Sequence, residues 1–187
     1  MDRKQFLTSC VKGAAGCCAL GLLDAPAPAR ADNDKEFEKH FVKNWMEDLF
    51  DTMYAELDEK TRVRLMAGCG RGCFRRFQFK QEIARLGKGS VDRLLEAYKH
   101  NFEVWRDGNL VHVRYGAVNK QCYCPAARYH PAKPGDMHCE CTRATHQTVF
   151  ETALERPIPV KIVETLRRGG TTCHFVADVS GAIHPES

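Results

Sequence analysis

Long apolar runs are missing from this chain of 187 residues. The longest mild one, Gly13 to Leu23, is too short and too rich in glycine and alanine for a membrane span of roughly 20 residues. No charge of one sign dominates either: 28 Lys and Arg stand against 24 Asp and Glu, giving a formal net charge of +4. That balance leaves no electrostatic footprint for nucleic acid, and no basic run is long enough to suggest a lipid surface. Internal repeats are absent, and the only low-complexity stretch is an Ala/Pro segment near the start. No phosphate loop, Ser-His-Asp signature or paired-carboxylate motif is present. These absences exclude the commonest nucleotide-binding and hydrolytic designs and predict no stable membrane span.

The opening residues have an order of their own. Arg3, Lys4 and Lys12 precede the mild apolar run, and Ala25-Pro26-Ala27-Pro28 then leads to the small-residue triplet Ala29-Arg30-Ala31. Charged, apolar and cleavage regions in that order predict a secretory signal over residues 1–31, cut before Asp32. Asp2-Arg3-Lys4-Gln5-Phe6-Leu7 resembles the twin-arginine export motif, with Lys4 in place of the second arginine. A terminal helix belonging to the folded domain is the alternative, although Pro26 and Pro28 would end it early. The expected setting is therefore export to the periplasm or the exterior, with the export machinery as partner of the precursor. The 32–187 remainder is expected to form a single thiol-rich domain, since no linker divides it and its size suits one core.

Downstream, Phe37, Phe41, Trp45, Leu49 and Met53 recur every fourth position, with Val42, Met46, Phe50 and Leu57 beside them. This predicts an amphipathic helix from Glu36 to about Leu57 with the aromatic stripe, Trp45 included, as core. Asp58 can cap a second helix that Gly68, Gly70 and Gly72 would loosen near Cys69, and Ser90 can cap a third carrying Leu94, Leu95, Tyr98 and Phe102. After Trp105 the period becomes two. Asp107-Gly108 reads as a hairpin turn, Leu110 to Tyr115 as a strand, and Cys122-Tyr123-Cys124 as a short strand stopped by Pro125. Thr142 to Leu154 reads as a fourth helix ended by Arg156-Pro157. Ile158–Leu166 and Cys173–Val179 read as a hairpin turning at Gly169-Gly170, with Leu166 facing Cys173 and Glu164 facing Phe175. The fold class is α+β: N-terminal helices packed on a C-terminal antiparallel sheet with one inserted helix.

Cysteine carries whatever chemistry there is. Of ten, Cys10, Cys17 and Cys18 lie in the signal, leaving Cys69, Cys73, Cys122, Cys124, Cys139, Cys141 and Cys173. An exported chain would use six of these in three disulfides and leave one spare thiol. Two cysteines two apart on a strand aim the same way, so Cys122, Cys124, Cys139 and Cys141 could instead hold zinc, with His138 adding a nitrogen. A third use is a nucleophile: Cys141 just before a helix cap at Thr142 would gain thiolate character from the helix start. His138 or His146 would be its base, and Glu151 or Glu164 would orient that base. His112, His174 and His184 read as isolated surface or satisfied histidines.

One more signal lies in the order of these elements. Cys122-Tyr123-Cys124-Pro125, Cys139-Glu140-Cys141-Thr142, Phe150-Glu151, Pro157-Ile158-Pro159 and Arg168-Gly169-Gly170-Thr171-Thr172-Cys173-His174-Phe175 follow one another. This order resembles small bacterial proteins grouped near L-2-amino-thiazoline-4-carboxylic acid hydrolase, and its closing hairpin resembles the vinyl-reductase type of ligand-sensing domain. The resemblance implies an α+β fold around a small-molecule pocket and, in one branch, hydrolysis of a cyclic C–N bond. Arg167 stands where the sensing domains carry a cysteine. Two functions therefore compete with the disulfide-stabilised structural domain: a domain binding a small ligand or a metal through a cysteine cluster, and a cysteine-dependent hydrolase of a small cyclic amide-like substrate. In either case Cys69 or Cys73 is expected to approach the Cys122–Cys141 group.

Overall fold

The computed structural model describes residues 28–116 and 121–181, with side chains from residue 33 onward. Most of the expected signal peptide, and His184, lie outside the described residues. By its internal contacts the chain divides into Met1–Phe37 and Glu38–Ser187. Five helices are described: α1 (Pro28–Glu56), α2 (Glu59–Arg76), α3 (Gln78–Leu86), α4 (Val91–Lys99) and α5 (His138–Leu154). Four strands, β1 (Glu103–Asp107), β2 (Leu110–Arg114), β3 (Val160–Glu164) and β4 (His174–Asp178), form one antiparallel sheet in the order β1-β2-β4-β3. This is the α+β arrangement expected, with α5 inserted between the two hairpins. No helix among the described residues is long and apolar enough to cross a membrane.

The caps behave as their chemistry dictates. Asp58 accepts from the Thr61 amide at 2.9 Å and Ser90 from the Arg93 amide at 3.3 Å, so each closes an unpaired donor at the start of α2 or α4. The main core lies where α4 and α5 meet the sheet and includes Leu94, Tyr98, Val111, Val113, Phe150, Ile158 and Phe175. α3, with Ile83 and Ala84 buried, was not anticipated, because its nine residues show barely two turns of periodicity.

Other expectations need correction. The inner face of α1 is Met46, Phe50, Met53 and Tyr54, gathered on Met66 and Met137, while Val42, Trp45 and Leu49 are exposed. Two apolar stripes run side by side on this helix, and periodicity alone does not say which one finds a partner. Trp45 is 55% exposed. Trp45→Ala is therefore expected to change stability by less than about 1 kcal/mol in denaturant unfolding, whereas emptying a buried aromatic site costs 3–5 kcal/mol.

Nor do the glycines of α2 loosen it. The helix continues through all three, and a Cβ on Gly70 would lie 2.3 Å from the Cys141 carbonyl oxygen. Gly70 is what lets the α2 and α5 backbones touch, and Thr145 Oγ1 donates to the Gly70 carbonyl across the contact at 3.2 Å.

In the first hairpin Asp107 pairs with Leu110, so the two turn residues are Gly108-Asn109, one place later than expected. Gly108 has the positive φ of 55° that such a turn needs. Cys122-Tyr123-Cys124 is not a strand; it is irregular chain ahead of a 3₁₀ turn, Pro125–Tyr129. In the last hairpin Glu164 faces His174 and Ile162 faces Phe175, with the irregularity between Ile162 and Glu164. The chain leaves the sheet after Glu164 and forms a 3₁₀ turn at Leu166–Arg168, because Arg167 turns inward to a buried carboxylate. Leu166 and Cys173 therefore do not pair.

Candidate functional site

The helix carrying Cys139 and Cys141 starts at His138, four residues before the expected cap. Its start is held by Asp136, whose Oδ1 accepts from the His138 amide at 2.8 Å. Cys139 and Cys141 therefore lie on a helix rather than a strand, and residues two apart there diverge by about 200°. Cys139 is buried against Thr165, its Sγ 3.0 Å from the Thr165 hydroxyl, and burial pushes its thiol up to about 11. Cys141 faces the other way, toward α2.

There the thiols gather. Burial, with the neighbouring sulfurs of Cys124, Cys73 and Cys69 adding to it and the Lys80 ammonium opposing, pushes Cys141 up to about 12. Cys124 is raised by burial and by Cys122 and Cys73, while the amides of Ala126 and Ala127 work to lower it. Cys173, just before β4, is raised by burial, with Cys122, Glu164 and Cys124 adding to it and the Leu166 amide opposing. The Tyr115 hydroxyl is raised by burial and by Cys173, Cys124, Cys73 and Cys122 together. These sulfurs come from four separate segments: α2, the chain before the 3₁₀ turn, α5, and the residue leading into β4. Gly70 makes the first of these approaches, by bringing α2 onto α5.

Cys73 has a partner of its own, Lys80 Nζ, which donates to its sulfur at 2.8 Å. Cys69, one helical turn earlier, is exposed. All seven cysteines among the described residues stand as free thiols. Among the described residues no three of His, Cys, Asp or Glu are disposed to hold a metal ion as they stand. The expected quartet of Cys122, Cys124, Cys139 and Cys141 is divided: Cys139 turns to Thr165 and feels only Cys173 among these sulfurs, whereas Cys73 acts on both Cys124 and Cys141.

The histidines are engaged. His146 is buried between two tyrosines, with Nδ1 3.3 Å from the Tyr98 hydroxyl and Nε2 3.0 Å from the Tyr115 hydroxyl. Burial drives its pKa down to about 3. His138 lies between His130 and Cys124, its Nδ1 3.1 Å from His130 Nε2 and its Nε2 3.1 Å from Cys124 Sγ. Burial, then the charges of His130 and Arg167, bring it down to about 4. Neither ring is hydrogen-bonded to the Cys141 sulfur. Glu151 accepts from Gln147, and Glu164 accepts from the Thr171 amide, so neither orients a histidine. With the helix start at His138 and its thiol at about 12, Cys141 lacks the activation expected of a nucleophile.

The chain matches no family model and no curated protein. The likeness to the thiazoline-carboxylate hydrolase group thus rests on the order of residues alone.

His112 and His174 are not isolated either. His112 Nδ1 lies 3.0 Å from His174 Nε2, and Trp105 stacks on His112. A shallow cleft of about 400 Å³ beside α4, lined by Leu86, Asp92, Arg93, Glu96, Ala97 and His100, contains none of the thiols. Sequence reasoning missed Tyr115, Lys80, His130, Asp136 and Arg167. Only the spacing of His130 and His138 around Asp136 hinted at a polar group there.

Histidines that folding keeps uncharged make stability depend on acid. Their folded pKa values lie below the ordinary 6.5, so the unfolded chain takes up the proton first as pH falls. Stability is expected to be level above about pH 6.5 and to fall from there toward pH 3, by up to about 1.4 kcal/mol per pH unit for each such histidine. Urea midpoints measured from pH 7.5 to 4 check this, and His146→Phe should give a shallower slope. A profile flat down to pH 4 would contradict the buried, uncharged His146.

Proposed function

We propose that this chain is an exported domain whose thiol cluster, Cys73, Cys122, Cys124, Cys141 and Cys173, binds a soft, thiophilic metal ion. The observation that carries the reading is that these five sulfurs, from four segments far apart in sequence, converge: Cys73, Cys122 and Cys124 each help raise the pKa of two or more of Cys124, Cys141, Cys173 and Tyr115. Thiolate sulfur favours soft and borderline ions such as Cu⁺ and Zn²⁺, and a bound ion displaces the thiol protons that burial otherwise retains. The thiols would have to draw together on the ion, so the site closes around its ligand. Export rests on the charged, apolar and small-residue order of residues 1–31.

A cysteine-dependent hydrolase would need a base beside its nucleophile. His146 is committed to two tyrosine hydroxyls and His138 to Cys124, which leaves Cys141 without one.

Cd²⁺, a spectroscopically visible soft ion, tests the proposal. Titration of the reduced protein should give a stoichiometric thiolate-to-metal absorption band and a matching mass increase in native mass spectrometry. The triple change Cys73→Ser, Cys124→Ser, Cys141→Ser should abolish both. Cys139→Ser, whose sulfur faces Thr165 instead, should leave them intact. Loss of the band in Cys139→Ser together with its survival in the triple variant would refute this assignment.

A further inference from the structure

A second polar chain runs into the cluster from the interior, and the direction of its hydrogen bonds follows from one end. Asp136 is fully buried and accepts from Arg167 Nε at 2.8 Å. The same guanidinium donates through Nη1 to the Ala127 carbonyl at 2.9 Å and through Nη2 to the Pro131 carbonyl at 2.8 Å. Nη2 also lies 2.9 Å from His130 Nδ1. A guanidinium has donors only, so toward Arg167 His130 Nδ1 can only accept, and the Pro131 carbonyl 3.2 Å from the same nitrogen is already served by Nη2 at the shorter 2.8 Å. The one ring proton of His130 is then on Nε2, which donates across 3.1 Å to His138 Nδ1. That leaves the proton of His138 on Nε2, aimed at Cys124 Sγ 3.1 Å away. An additional proton on either ring would set two donors face to face. Phe50, stacked on His130 at 3.7 Å between centroids, fixes the plane of that ring.

We infer that His138 is a positioning residue, a permanent N–H donor held in one tautomer by Arg167 through His130, and that it orients Cys124 as the anchoring ligand of the cluster. His138 is then no base for Cys124, because the nitrogen it presents already carries a proton. Nε2 lies 3.1 Å from this sulfur, so when a bound cation displaces the thiol proton the Cys124 sulfur already faces a fixed donor that complements its negative charge. A metal-bound thiolate keeps lone pairs for such a donor, which orients it and tunes its affinity. The chemistry at this end of the site is therefore attachment of a soft cation to Cys124 first, with the remaining thiols closing on it. This rests on the thiol-cluster reading for the identity of the ligand, while the tautomers stand apart from it.

Two measurements separate the parts. Long-range ¹H–¹⁵N correlation on the metal-free, histidine-labelled protein should show His130 and His138 both protonated on Nε2. A proton on Nδ1 of His138 overturns the inference whatever the protein binds. Cd²⁺ titration then compares His138→Leu, which removes the donor, with His138→Gln, whose amide nitrogen replaces Nε2. Affinity is expected to fall about 10–100-fold in the leucine variant and to recover in the glutamine variant, with circular dichroism confirming that both are folded. Equal affinity in folded wild type and His138→Leu overturns the role of His138 but leaves the cluster standing. Failure of wild type itself to bind Cd²⁺ overturns the cluster and the anchoring role together.

Discussion

Gly70→Ala is expected to destabilise the protein by up to about 2 kcal/mol, although the same change on an exposed helix would stabilise it. Alanine is the better helix former by about 1 kcal/mol, and that gain is the baseline against which any steric cost is read. At Gly70 the added Cβ would stand 2.3 Å from the Cys141 carbonyl oxygen and 2.9 Å from both the Ala144 Cβ and the Thr145 amide. Two of those three atoms are backbone, so no rotamer relieves the clash and α2 must move away from α5. Overpacking of this kind costs 1–3 kcal/mol and sometimes more. The displacement would also part Cys73 from Cys141, so Cd²⁺ affinity should fall with stability. Gly68→Ala, which meets nothing nearer than the flexible end of Arg71 at 3.7 Å, is the control and should be neutral or slightly stabilising. Urea unfolding of the pair decides it. Equal midpoints for the two variants would mean that the helices do not touch at Gly70.

Arg167→Leu should be costlier still, about 3–5 kcal/mol, the range for breaking a buried ion pair from one side. Asp136 is fully buried and Arg167 nearly so, and the guanidinium also serves the carbonyls of Ala127, His130 and Pro131. Its removal leaves a buried carboxylate uncompensated and those carbonyls short of a donor. It also frees the His130 ring to take either tautomer, so the donor facing Cys124 loses its definition. Arg167→Lys keeps the charge but has no planar fork to serve Asp136, His130 and the carbonyls at once, and should recover only part of the loss. A denaturant midpoint for Arg167→Leu equivalent to a loss below about 1 kcal/mol would show that Asp136 finds other compensation.

The polar chain explains why the site was only partly legible. Cysteine count and spacing draw attention to the thiols, because thiols are rare and their chemistry is narrow. Reading Cys139 and Cys141 as a strand pair put both sulfurs on one side. The helix start at His138, held by the Asp136 carboxylate, places both on helical turns and so puts them on opposite sides instead. The sequence points to His138 and His146 as bases, whereas the structure sets His138 against Cys124 and His146 between two tyrosines. Their actual partners, Arg167 through His130 for one and two tyrosines for the other, come from positions 29 to 48 residues away along the chain.

What the sequence by itself determined is everything that depends on neighbours within a turn or two. It set the α+β class, the caps at Asp58 and Ser90, the end of α5 before Arg156-Pro157, and the concentration of thiols in a few short stretches. These follow from local hydrogen bonding and periodicity, which are written in adjacent residues. Tertiary structure alone decided which apolar stripe of α1 is buried, which thiols meet, and which protons the histidines carry. The physical reason is the same in each case. A stripe needs an opposing surface, a thiol cluster needs two backbones brought together at Gly70, and a histidine tautomer needs a donor at its far nitrogen. All three partners are supplied from distant parts of the chain.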